Sequence, residues 1–206
     1  MISLFYLFLI SLSVKDFFKR WLSYKLTILT SRRSASVILV NSFIVSKLDY
    51  CNSLFAGCSK QLVDKLQRVL NCAARVIFGG DRRDHVTPLL RDKLHWLRAR
   101  ERITFKLCLL VYKAINGHAP SYLQDLCVPV RPYNCFHTCR PPLCSSWRPC
   151  RPLYQTTSRQ VGNRAFCVAG PTAWNSLLSD IRTASFVTTF KNLLKTHLFI
   201  QSYYTT

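Results

Sequence analysis

Acidic residues are what this chain is shortest of. Nine Asp and Glu are spread along 206 residues, and no two Asp are adjacent. Two-metal phosphoryl transfer needs clustered carboxylates to hold Mg²⁺, so polymerase or nuclease chemistry by that route is not expected. A Gly-rich phosphate loop, a serine elbow and a His-Glu-x-x-His helix are also missing. No internal repeat is visible. The apolar run over residues 2–14, ISLFYLFLISLSV, falls short of the ~20 residues a spanning helix needs. No basic residue precedes this run and no small-x-small cleavage pattern follows it, which argues against a secretory signal. The ten cysteines are therefore read as thiols of a reducing compartment rather than a disulfide framework. Cytoplasm or nucleus is favoured over secretion.

Cations are abundant. Lys and Arg number 29 against the 9 acids, for a formal charge of +20. Such an excess points to a polyanion, nucleic acid ahead of an anionic membrane. Nearly half the chain is apolar (49%), so a core can form.

The apolar spacing is helical in four places. Val37, Val40, Ile44, Leu48, Cys51 and Phe55 recur at steps of three and four, predicting a helix over 34–55 with Ser34 as N-cap and Gly57 as its stop. A second amphipathic helix is expected over 60–78, with Leu62, Leu66, Val69, Leu70, Ala73 and Ile77 on its apolar face and Gly79-Gly80 ending it. Thr87-Pro88 reads as a cap and first-turn proline. Ile103, Leu107, Leu110, Val111 and Ala114 predict a helix over 98–116, followed by a turn at SYLQDL. Pro171 is expected to open a helical turn. Ser185 is expected to cap a last helix near 185–201, carrying Phe186, Phe190, Leu193, Leu194 and Leu198. The fold class is mainly α: an irregular helical bundle with a long Pro/Cys/Arg-rich loop. The organisation expected is an apolar and basic segment over 1–26, a helical domain over 27–126, an irregular linker over 127–160 and a C-terminal helical segment over 161–206.

Three constellations could carry chemistry. Cys135, His137, Cys139, Cys144 and Cys150 lack the Cys-x2-Cys knuckle of a structural zinc site, so unligated thiols in a loop are the stronger reading. No metal and no cofactor is expected. Asp81, Asp84, His85 and His95 are a weak acid–base set; a capping role for Asp84 ahead of Thr87-Pro88 is preferred. In LDYCNSLFAG, residues 48–57, Asp49 and Asn52 fall off the apolar stripe near a helix end, and local hydrogen bonding is expected of them.

The basic residues are the better signal. Between Lys60 and Lys113 there are thirteen Lys or Arg against five acids. Lys65, Arg68, Arg75, Arg98, Arg100, Arg102 and Lys106 recur along two predicted helices and are the candidate nucleic-acid contacts. Helix faces of this kind bind phosphates without reading bases. Trp96, Tyr112 and Trp174 could stack on bases, with core packing the stronger reading for the last two.

Four stretches occur in order: LDYCNSLFAG, KQLVDKLQRVLNCAARVIFG, DHVTPLLRDKLHWLRARERITFKLCLLVYKAINGHAPSYL and GNRAFCVAGPTAWNSLLSDIRTASFVTTFKNLLKTHLF. Together they resemble the C-terminal region of the reverse transcriptase polyprotein of LINE-type non-LTR retrotransposons, of the kind related to chicken-repeat elements. The resemblance covers about residues 27–200. It implies a thumb and post-thumb structure that grips RNA or an RNA/DNA hybrid, without the Asp-Asp palm or the endonuclease, hence no enzyme activity and a remnant or fragment. Residues 1–26 depart from the family. So do residues 134–154, where Arg without Lys, plus Pro and Cys, is what a pair of compensating frameshifts in GC-rich codons would give. A different class of function is a small membrane-associated protein held by residues 2–14 and the nearby Lys15, Lys19, Arg20 and Lys25.

Overall fold

The computed structural model describes residues 33–50, 52–81, 83–127 and 165–204. Among them the fold is mainly α, with no strand. The helices are α1 (Arg33–Val40), α2 (Ser46–Asp49), α3 (Lys60–Phe78), α4 (Ala99–Ile115), α5 (Ser121–Gln124), α6 (Phe166–Asn175), α7 (Ser179–Arg182) and α8 (Val187–Tyr204). The first 26 residues, the 134–154 stretch and its cysteine cluster lie outside the described residues. The chain divides into two compact units. Among the described residues, one comprises 33–50, Asn52, 59–81 and 83–99, the other 53–58, 100–127 and 165–204.

In the first unit the expected 34–55 helix is not continuous. A π-helical turn, Asn41–Val45, joins α1 to α2. Tyr50 then turns extended (φ −69°, ψ 122°), ending α2, and the chain re-coils as a 3-10 turn at Asn52–Phe55. Up to the break the apolar stripe holds: Val40, Ile44 and Leu48 are buried and Val37 is half-buried; Phe55, which belongs to the second unit, is buried there. Ser34 lies inside α1 rather than capping it. Gly57 does adopt the left-handed conformation (φ 62°) beyond the 3-10 turn. Asn52 is buried, not turned away from the interior, and Asp49 is half-buried.

Helix α3 begins and ends where its sequence pattern places it. Leu66, Leu70, Ala73, Ala74 and Ile77 form the buried face, and Gly79 (φ 66°) supplies the left-handed cap. That cap lets the N–H of Gly80 reach the carbonyl of Arg75 at 2.9 Å, satisfying one of the last-turn carbonyls. A short helical segment follows over 87–93, π-helical at Leu89–Lys93, with Thr87 inside it rather than capping it. Gln67, midway along α3, donates to Asn71 (2.8 Å) and accepts the N–H of Ala99 (2.8 Å). Ala99 N–H is one of the donors that a helix start leaves without an intrahelical partner.

The second unit is built on aromatic packing. Tyr112 of α4 stacks on Phe190 of α8, with ring centroids 4.2 Å apart. Trp174 of α6 closes the cluster, 5.7 Å from Phe190 and 6.4 Å from Tyr112. The Tyr112 hydroxyl donates to the carbonyl of Ala184 at 2.9 Å, so the buried phenol keeps a partner. Cys108, Val111, Leu194 and Leu198 are buried as well. Pro171 does not open a turn: it is the sixth residue of α6, beyond the first turn where a missing N–H costs nothing. Helix α8 starts after Phe186, whose carbonyl accepts the N–H of Phe190, so Ser185 lies outside it. Phe186 (71%) and Leu193 (42%) are exposed, leaving Phe190, Leu194, Leu198 and Ser202 as its buried stripe.

Candidate nucleic-acid interface

On α3, Lys65 and Arg68 are exposed. At 3.6 residues per turn they fall opposite Leu66, Leu70 and Ile77, together with Cys72 and Arg75. The amphipathic pattern that buries one face thus turns these cations to solvent. Arg75 is different. It is half-buried, and its Nη2 donates to the carbonyl of Asp84 at 3.1 Å. Part of its hydrogen-bonding capacity is therefore used in folding the 79–85 loop. Arg98 is half-buried just ahead of α4.

Arg100, Arg102 and Lys106 lie on α4, in the second unit. Arg100 is exposed, and Arg102 and Lys106 are half-buried. The three do not share one face. Arg100 precedes Ile103 and Leu107 by three and seven residues, which places it on the side that α4 buries, exposed because it occupies the first turn. Arg102 and Lys106, four apart, lie on another side. The first turn of α4 carries two arginines and a single acid, Glu101. The helix macrodipole is positive at that end, so each cation there costs ~0.3–1 kcal/mol.

The aromatic residues considered for base stacking are all inside. Trp96, Tyr112 and Trp174 are 9%, 1% and 4% exposed. The Trp96 reading is therefore overturned: packing has taken the ring face a base would need. The acid–base set lies at the surface. The Asp84 carboxylate accepts the N–H of Asp81 at 2.6 Å, closing its own loop backward rather than capping the helix at 87. Both residues are exposed, as are His85 and His95. His95 sits at φ 49°, a left-handed turn between the 87–93 helix and α4. Among the described residues no cluster of His, Cys, Asp and Glu could hold a metal ion. Nor is any helix of the described residues long and apolar enough to cross a membrane.

Burial also sets thiol chemistry. Cys108 is fully buried in α4, and desolvation pushes its thiol up to about 12. It therefore stays protonated, and so unreactive, well above neutral pH. Cys72 is half-buried on the solvent side of α3. Iodoacetamide at mildly alkaline pH is expected to label Cys72 in the folded chain and to leave Cys108 untouched until denaturant is added. Mass spectrometry of the digested protein checks this; labelling of Cys108 at the same rate as Cys72 would contradict the packing.

Sequence reasoning passed over three cations. Lys113 is half-buried, seven residues after Lys106 on the same side of α4, and Lys191 and Lys195 are exposed four apart on α8. Helical spacing was the signal for each.

No protein-family model matches the chain, and neither a curated protein nor a solved structure is significantly similar to it.

Proposed function

We propose that residues 27–200 are the thumb-and-tail part of a non-LTR retrotransposon reverse transcriptase, contributing nucleic-acid contact and no catalysis of their own. The ligand is RNA or an RNA/DNA hybrid, held through its phosphates. Four ordered stretches of sequence support the family reading, and the charge of +20 supports the polyanion. The observation that carries it is the placement of cations: Lys65 and Arg68 on the solvent face of α3, and Arg100 and Arg102 in the first turn of α4. Local rules broken at a helix end without a local gain are expected at functional sites. With Trp96, Tyr112 and Trp174 buried, these phosphate contacts give position rather than base selectivity.

The test is binding of the full chain to a fluorescent single-stranded RNA of about 20 nucleotides, followed by anisotropy across salt concentration. Each phosphate contact contributes about 0.7 to the slope of log Kobs against log salt. Lys65→Gln with Arg68→Gln is therefore expected to lower that slope by about 1.4 while leaving helicity unchanged. An unchanged slope in the double variant would remove α3 from the interface.

A further inference from the structure

We infer that a stripe along α4, made by Arg102, Lys106 and Lys113, tracks one strand of a nucleic-acid backbone, with Lys113 a phosphate contact that the sequence pattern did not single out. This rests on the polyanion reading above and sharpens it within one compact unit. Arg102, Lys106, Leu109 and Lys113 follow one another at steps of four, three and four, and all four are half-buried. They lie away from Ile103, Leu107, Cys108, Val111 and Tyr112, which the core takes. The stripe carries no acid, and the one Glu of α4, Glu101, falls on another side. At 1.5 Å per residue, Arg102 to Lys113 spans about 16 Å, the axial rise of roughly five phosphates of one strand.

Half-burial suits this role. A half-buried Lys can lay its alkyl stem along apolar surface while its ammonium group stays in water. That fixes each charge better than a fully exposed chain would and lowers the entropy lost on binding. Like charges four apart on a helix repel by ~0.2–0.5 kcal/mol, so Arg102 and Lys106 are an arrangement that isolated α4 stability would not select. Lys113, in the last turn, meets a favourable dipole instead. A merely structural role for it would therefore show in stability and not in salt dependence.

The experiment compares the full chain with Lys113→Gln, Arg102→Gln/Lys106→Gln, Lys113→Arg and a surface control, Lys93→Gln, using the same RNA. At about 0.1 M salt one lost contact corresponds to about a five-fold loss of affinity, and two to about twenty-five-fold. Lys113→Gln is expected to lose about five-fold, with its salt slope lower by about 0.7, and Lys113→Arg to retain both. Lys93→Gln is expected to leave both unchanged. If the native chain binds with a steep slope but Lys113→Gln behaves like Lys93→Gln, the stripe is overturned and the broader reading stands. If the native chain does not bind RNA, or binds only phosphatidylserine vesicles, the broader reading falls and takes the stripe with it. Helicity by circular dichroism separates a loss of contact from a loss of fold, and Lys113→Arg keeps the test decisive if the glutamine variant unfolds.

Discussion

Phe190→Ala should unfold the second unit, or leave it barely folded. Its ring is fully buried, stacked on Tyr112 at 4.2 Å and 5.7 Å from Trp174. Truncating a buried Phe costs ~3–5 kcal/mol, because the transfer energy is lost and a cavity remains. The two aromatic pairs add ~0.5–1.5 kcal/mol each. Whole domains are stable by only ~5–15 kcal/mol, so this one change removes much of the margin. Phe186→Ala, four residues earlier, should change stability by less than ~0.5 kcal/mol, since its side chain is 71% exposed. Urea denaturation followed by circular dichroism gives both values. Equal effects at the two positions would contradict the packing of α8.

Gly170→Val is expected to be the next most damaging change. Helix α6 approaches α4 at this glycine. A Cβ there would stand 3.0 Å from Cγ2 of Val111 and 3.2 Å from Cε2 of Phe166. Val111 is fully buried and has little room to yield. Overpacking of this kind costs ~1–3 kcal/mol. The β-branched side chain adds strain because Pro171 follows, and a residue before proline is already disfavoured in the helical region. Replacing Gly by a residue with better helix propensity would return only ~1 kcal/mol or less. A fall in urea midpoint is the expected readout; a variant as stable as the native chain would mean that α6 does not meet α4 at this point.

These two sites mark how far the sequence could be read. Helix α3 was legible to the residue because three signals agreed: a clean apolar stripe, charges on the other side and Gly79 at the end. Helix α4 was legible within a residue for the same reason. The break at Tyr50 was not, because the apolar spacing runs on through it and no Gly or Pro marks the turn. Pro171 was misplaced because local rules put proline in a first turn, whereas tertiary packing around Gly170 and Trp174 holds it in mid-helix. On α8, Phe186 and Phe190 share the same spacing, and only the fold decides which of them meets Tyr112.

The candidate interface divides in the same way. Lys65 and Arg68 were legible, since an amphipathic helix must turn its charges outward. The part Arg75 takes in the 79–85 loop was not, because it depends on the carbonyl of Asp84, nine residues on. The burial of Trp96 was equally hidden, as a tryptophan beside a basic helix serves a core or a stacked base equally well in sequence. Lys113 was legible in principle, by its seven-residue step from Lys106, and was overshadowed by the denser cluster of arginines before it.

The most direct test of the central claim is the salt dependence of RNA binding by the native chain, measured with two unrelated sequences of equal length. With Arg75 engaged by the carbonyl of Asp84, the seven remaining cations, Lys65, Arg68, Arg98, Arg100, Arg102, Lys106 and Lys113, at about 0.7 each predict a slope near 5 in magnitude, about a thousand-fold loss of affinity between 50 and 200 mM salt. The two RNAs should bind within a few-fold of each other throughout. Binding that ignores salt, or no binding even at the lowest salt, would contradict the account.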